Sequence, residues 1–492
     1  MRKIAITLLT FISLSVYGQK NVLLESTFWQ NKPDVNSVKA EIEKGANPSQ
    51  LNSNSFDPVV MAINASAPDE TVKYLLEQPG NSISKITHDG RIYLHWAASR
   101  GNIPLVEYLI KKGSNVTGKD SHGSSPMIFA ASGGQLDTKL YDLLISNGAN
   151  VKTDLSSNGA NALLVSIGSD KEFKLTDYLV AKGLDLNSKD AQGNNAFAYA
   201  ARGGNVEVLK ALVKKGVAVD PNAMLSAAEG SRRGSSPIEV FKYLETLNLK
   251  PTAISKEGRN ALHSIVRKAG QQEIINYFLA AGVDVNLADN DGNTVFMNAA
   301  AANRDTAVLA LLLPTVKNIN LANKKGLTAL SMAVNSNTAA AVKYLIAKGA
   351  NTKVTDANGN QLNYYLVQSF NGNNPTGLSD FDEKANLLQA NGVNLAAAQK
   401  DGSTLYHLAV IKNDMNLFAR LEKLGIDINA KNGEGLTALH RAAMVSKDDV
   451  LMKYLISKGA KKELKTNFDE TAFDLANENE SIKGKVAIDF LK

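Results

Sequence analysis

Apolar positions return along this chain at two spacings at once. Within short stretches they fall at helical intervals of three and four residues. Those stretches then recur about every 33 residues. The clearest copy runs from Gly435 to Ala460: Gly-Leu-Thr-Ala-Leu-His-Arg-Ala-Ala, a short polar break, then Leu451-Met-Lys-Tyr-Leu-Ile-Ser-Lys-Gly-Ala460. Thr437 precedes the first apolar run, where its hydroxyl can accept a backbone N–H as a helix N-cap. Leu439 points inward. Ala442 and Ala443 are small enough to let a second helix approach. That helix carries Leu451, Tyr454, Leu455 and Ile456 and stops at Lys458-Gly459, glycine being suited to the left-handed position after a helix end. Two such helices cannot cover both of their faces alone, so each unit needs neighbours.

Turn glycines set the register. Gly90, Gly123, Gly159 and Gly193 stand 33, 36 and 34 residues apart. Gly193 to Gly258 is 65, two units with the middle glycine missing. Gly258, Gly292, Gly326 and Gly359 follow at 34, 34 and 33; then come 43 residues to Gly402 and 33 to Gly435. Weaker units precede Gly90 from about residue 21, and a last one opens near Thr466. The period and Thr437-Ala-Leu-His440-Arg-Ala together resemble the ankyrin repeat, with its 33-residue unit and Thr-Pro-Leu-His-x-Ala signature. The resemblance covers about residues 21–492. It implies an all-α ankyrin-repeat solenoid of about 14 helix-turn-helix units with short β-turn fingers. The family's proline is read only at Ser125-Pro126-Met127; elsewhere the pair is Asn-Ala or Thr-Ala.

Two places break the period. Around 221–255 the turn motif is missing, and Gly230-Ser-Arg-Arg-Gly-Ser-Ser-Pro237 reads as a longer loop. Around 361–398, Asn371–Asp380 adds about ten residues between the helices, read as a surface insertion or a partner-contacting loop. Either could be a boundary between stacks, near 230–255 or at 370–381.

Composition adds an address. Arg2 and Lys3 precede an apolar run, Ile4–Val16, with Gly18 before Gln19, the pattern of a secretory signal peptide cut after Gly18. A membrane anchor is the alternative, but thirteen apolar-leaning residues fall short of the roughly 20 that a spanning helix needs. The mature chain, 19–492, is therefore expected in the periplasm or outside the cell, without a membrane span and as a monomer. The chain has no Cys, which excludes a lipoprotein cysteine, disulfides and thiolate metal sites. The formal charge of +6 falls to +4 without Arg2 and Lys3. Many lysines also have a local reason: Lys44, Lys112, Lys182, Lys215, Lys348 and Lys458 precede helix-closing glycines, where a cation complements the helix dipole. Nucleic acid is accordingly not expected as a partner.

Catalytic patterns are missing. There is no phosphate-binding glycine loop, no His-Glu-x-x-His and no Gly-x-Ser-x-Gly. Asp289-Asn-Asp-Gly292 lacks the outer ligands of a calcium loop; with Asp120, Asp190 and Asp356 it reads as turn chemistry, the carboxylate bonding nearby backbone. His95, His263, His407 and His440 occupy the repeat's histidine position, which the resemblance assigns to hydrogen bonds between repeats. His88 and His122, one unit apart, read as solvated turn residues, with a shared ligand as the alternative. Catalytic, cofactor-binding and metal residues are all expected to be none.

The resemblance implies partner recognition through hairpin tips and the exposed end of the first helix. Those positions are His88, Arg91, Ser99 and Arg100 in the third unit, Gln192 and Arg202 in the sixth, Arg259 and Arg267 in the eighth, and Lys324 and Lys325 in the tenth. Trp96, Phe129 and Tyr199 are expected in the core. The chain therefore reads as a non-catalytic protein-binding scaffold with an unidentified protein partner. The alternative is an enzyme or a stress-defence accessory protein with a site at the irregular units.

Overall fold

A computed structural model describes residues 21–372 and 375–492; the leader expected at 1–18 lies outside them. Fourteen repeats follow one another among the described residues, and none of them contains a named strand. They fall into two compact units, one ending at Ala223 and the other spanning Met224–Lys492.

In the first compact unit, six helix pairs run from Ser26–Trp29 with Val35–Glu43 to Ala196–Gly203 with Val206–Lys214. The second runs from the helix Ala223–Glu229, paired with Ile238–Thr246, to Ala472–Glu478, which ends against a short 3-10 turn at Asp489–Leu491. Within each, first helices lie on first helices of the next pair and second on second.

The caps explain why these short segments are helical. Asp57, Ser125, Asn161, Asn195, Thr294, Thr328, Thr437 and Thr471 all accept backbone N–H bonds through their side chains at the first-helix N-termini, which satisfies donors the helix itself leaves open. Pro58 after Asp57 occupies the same place as Pro126, so the proline is kept twice. The apolar stripe behind the caps is buried, with Leu94, Leu330, Leu439 and the alanines Ala97, Ala333 and Ala442 at its centre.

Between pairs the chain makes a finger. Asp120, Asp190, Asp289 and Asp356 each accept two backbone N–H bonds at 2.8–3.0 Å within their own turn. Gly123, Gly193, Gly292 and Gly359 take the left-handed conformation that closes it. Antiparallel bridges such as Lys189–Asn195 and Ala322–Thr328 complete the turn. Most fingers also donate to their predecessor, as from Lys324 N–H to Asp291 O at 3.0 Å and from Gly433 N–H to Asp401 O at 2.8 Å.

The insertion after Asn371 departs from expectation. From Pro375 on it is helical: the second helix of the eleventh pair is lengthened to Pro375–Ala390. Asp380 on its added turns accepts the Ala339 N–H at 2.6 Å, at the start of the preceding pair's second helix. The buried Lys384 ammonium sits 2.8 Å from the other Asp380 oxygen, and Phe381 packs edge-on against Phe370. The extra residues thus tie neighbouring helices together.

Lysines before the closing glycines also do more than face a dipole. Lys182 reaches Asp142 at 2.8 Å, on the previous pair, alongside the Tyr178 hydroxyl. Lys458 and Tyr454 share Glu422 in the same way, and those two donors hold the Glu422 carboxyl below its usual range.

Candidate functional site

The histidines at the repeat position are buried joints. In His263, His407 and His440, Nδ1 accepts the backbone N–H of the cap residue at 3.0–3.1 Å. Nε2 then donates to a carbonyl of the following repeat: His95 to Ser124 O, His263 to Asn293 O, His407 to Leu436 O and His440 to Leu464 O, at 2.8–3.2 Å. Burial pushes all four imidazoles below their ordinary pKa; His263, His407 and His440 are neutral donor–acceptor spacers, whereas the buried His95 Nδ1 has no partner.

The fingers of the second to fourth repeats hold a cluster that sequence reasoning missed. His88 stacks on Phe56 with ring centroids 4.6 Å apart, and its Nδ1 lies 2.8 Å from Asn54 O. Asp89 Oδ2 receives Arg91 Nη1 at 3.1 Å and lies 3.3 Å from both His88 Nε2 and His122 Nε2. Partial desolvation opposes ionisation of Asp89, but His122, His88 and Arg91 together hold its carboxyl below the usual range. The two histidines expected to be solvated apart thus flank one carboxylate. Among the described residues, no three His, Asp or Glu side chains converge to hold a metal ion.

Arg91 is the expected contact residue whose placement differs most. It is only 9% exposed. Its Nε donates to Asp120 Oδ2 at 2.9 Å, and its guanidinium lies over Phe129 at 4.2 Å and Trp96 at 5.2 Å. These partners fix it as a joint between fingers. Trp96 is buried as expected, with its indole N–H on Thr87 Oγ1. Phe129 and Tyr199, expected in the core, are half-buried. Phe129 is the floor under Arg91, and the Tyr199 hydroxyl donates to Asp190 Oδ2 at 3.0 Å.

The other positions stay closer to the surface. Arg100 is exposed and bonds Asn64 Oδ1 at 3.0 Å; with Ser66, Pro68, Asp69 and Asn102 it lines a cleft of about 300 Å³ between the second and third pairs. Ser99 is half-buried and donates to Trp96 O. Gln192 and Arg202 are exposed on the sixth pair. Arg259 repeats the Arg91 contact at the same register five repeats on, with Nε 3.2 Å from Asp289 Oδ2, but its side chain is half exposed. Arg267, Lys324 and Lys325 are exposed. Four of the ten residues belong to the third pair; the rest are spread over the sixth, eighth and tenth.

Capped helix pairs, glycine-closed fingers and histidine joints define a repeat protein of stacked ankyrin units. Models of ankyrin repeats match in overlapping segments from residue 30 to 358 and again at 405–450. The chain belongs to the ankyrin repeat family. It is 30% identical over 182 residues to the nuclear factor NF-kappa-B p105 subunit of Gallus gallus, covering 36% of this chain and 18% of that protein. It is 25% identical over 292 residues to an ankyrin repeat protein of Acanthamoeba polyphaga mimivirus, covering 52% and 36%. An ankyrin repeat protein of Rickettsia felis shares 24% identity over 284 residues, covering 55% and 67%. The first two matches thus span about a fifth to a third of those relatives' own lengths. Among the described residues no helix is long and apolar enough to cross a membrane.

Proposed function

We propose that this protein is a non-catalytic scaffold that binds another protein through finger tips and first-helix ends, and that it acts after export, in the periplasm or outside the cell. The observation that carries the reading is the division of labour within each repeat. Histidines, finger carboxylates and Arg91 are occupied in joining one repeat to the next, whereas Gln192, Lys324 and Lys325 stand exposed at finger tips. Such positions offer hydrogen bonds and charge on successive repeats, which suits recognition of a macromolecule better than turnover of a small substrate. The export half of the reading rests on Arg2, Lys3 and the Ile4–Val16 run.

Affinity capture with the tagged protein, from the compartment outside the inner membrane, tests the binding half. A companion variant carries Arg100, Arg202, Arg259, Lys324 and Lys325 changed to Glu. The expected result is a partner retained by the parent chain and lost by the variant. An identical captured set from both would discard this face. N-terminal sequencing of the exported chain tests the other half, with Gln19 as the expected first residue.

A further inference from the structure

The break in the seventh repeat carries a second, more specific surface. Arg232 and Arg233 sit in its extra loop, Arg267 closes the first helix of the eighth repeat, and Arg304 lies in the connection of the ninth. All four are exposed, and none makes a side-chain hydrogen bond or ion pair among the described residues. Arg91, Arg100, Arg259 and Arg420 are each engaged by Asp or Asn side chains.

The connections that bear these four arginines are fastened to one another. The Ser235 hydroxyl donates to Gln271 at 2.6 Å, and Lys268 caps the Ala228 and Glu229 carbonyls. Asn303 donates to Val266 O at 2.8 Å, and Gln272 to Asp305 at 2.6 Å. Three adjacent repeats thus carry these arginines in neighbouring, mutually bonded helix-to-helix connections. Glu229, Glu239, Glu273 and Asp305 are the acidic residues of these connections, and all but Asp305 lie at helix ends. Glu239 and Glu273 lie in the first turns of the second helices, against the positive end of the helix dipole. Asp305 caps its own helix and receives Gln272.

We infer that the connections carrying Arg232, Arg233, Arg267 and Arg304 dock an acidic, extended peptide segment of a partner protein. Planar guanidinium forks pair bidentately with carboxylates, and arginines left without internal partners have no such bond to give up on binding. Three repeats stacked at about 8–10 Å each match roughly eight residues of extended chain. The inference rests on the scaffold reading and names the chemistry of one of its contacts.

The test uses the mature chain and a fluorescein-labelled octaglutamate peptide, read by fluorescence anisotropy at low salt. Binding is expected, weakened by added salt, and at least tenfold weaker when Arg232, Arg233, Arg267 and Arg304 are changed to Glu. The variant Arg232→Gln/Arg233→Gln, which alters only loop side chains without partners, guards against unfolding and should still weaken binding severalfold. Lys139→Glu/Lys483→Glu, at exposed lysines outside both surfaces, should leave it unchanged. No binding, equal binding by the reversed variant, or stronger binding of a single-stranded oligonucleotide than of the peptide would each overturn the inference. Failure here with partner capture intact would leave the scaffold reading standing. Loss of capture by the companion variant alone, with peptide binding kept, would locate the scaffold's main contact elsewhere.

Discussion

His440 Nε2 lies 3.0 Å from the carbonyl oxygen of Leu464, 24 residues further along the chain. Through its other ring nitrogen the same imidazole holds the Thr437 cap at 3.0 Å. One side chain therefore closes its own helix and fastens the next repeat. His407 does the same toward Leu436. Local helix structure and repeat stacking are thus coupled in single residues.

Acid should loosen these joints. Burial holds the four imidazoles neutral in the fold, with pKa values below the ordinary one. The unfolded chain takes up protons near the ordinary value of about 6.5, so it binds more protons than the native state just below that pH and stability falls as pH drops. The urea midpoint should fall between pH 7.5 and pH 5.5. The fall should be smaller in His407→Ser/His440→Ser, which copies Ser331 at the same position of the tenth repeat, where serine completes the capping box with Thr328. An equal fall in both proteins would count against the joints.

Truncation inside one repeat separates packing from capping. Leu439 is 1% exposed, and Leu439→Ala should cost about 2–5 kcal/mol. Thr437→Ala, which removes the cap hydroxyl, should cost about 1 kcal/mol. Chemical denaturation ranks the two; negligible effects from both would mean the register has been misplaced.

The repeat was legible because its signals are local. Caps, closing glycines and the helical stripe each act within a few residues, so the pairs could be placed before any contact was seen. What joins one repeat to another was harder to read. The burial of Arg91 depends on Asp120 and Phe129, which belong to the following repeat. The pairing of His88 and His122 depends on Asp89 lying between them. The insertion at Asn371 looked like a loop because it was counted against the period, although Asn374-Pro375 is also how a helix can begin. Exposure of the candidate contact residues depends on the same cross-repeat packing.

Glycine shows how close the stack comes. A Cβ on Gly203 would lie 2.5 Å from the Gly168 Cα, and one on Gly168 would lie 2.9 Å from the Gly203 Cα. Alanine in a helix usually gains about 1 kcal/mol over glycine. Gly203→Ala should reverse that sign and destabilise by about 1–3 kcal/mol, because the obstacle is backbone. A gain in the denaturation midpoint would refute the contact.

Ser446 offers the opposite change. Its hydroxyl is buried without a partner. Asn303 and Asn337 stand at the same register, where their amides donate to two carbonyls of the preceding repeat at 2.8–3.1 Å. Ser446→Asn should restore that clasp and stabilise by about 1 kcal/mol. Thermal denaturation at pH 7 should show a raised midpoint.

Stacking itself can be measured by far-ultraviolet circular dichroism on a peptide spanning 432–465, one complete repeat, beside one spanning 399–492. The short peptide should be largely unfolded and the long one helical with a cooperative melt. A single repeat that is helical and melts cooperatively on its own would contradict the account.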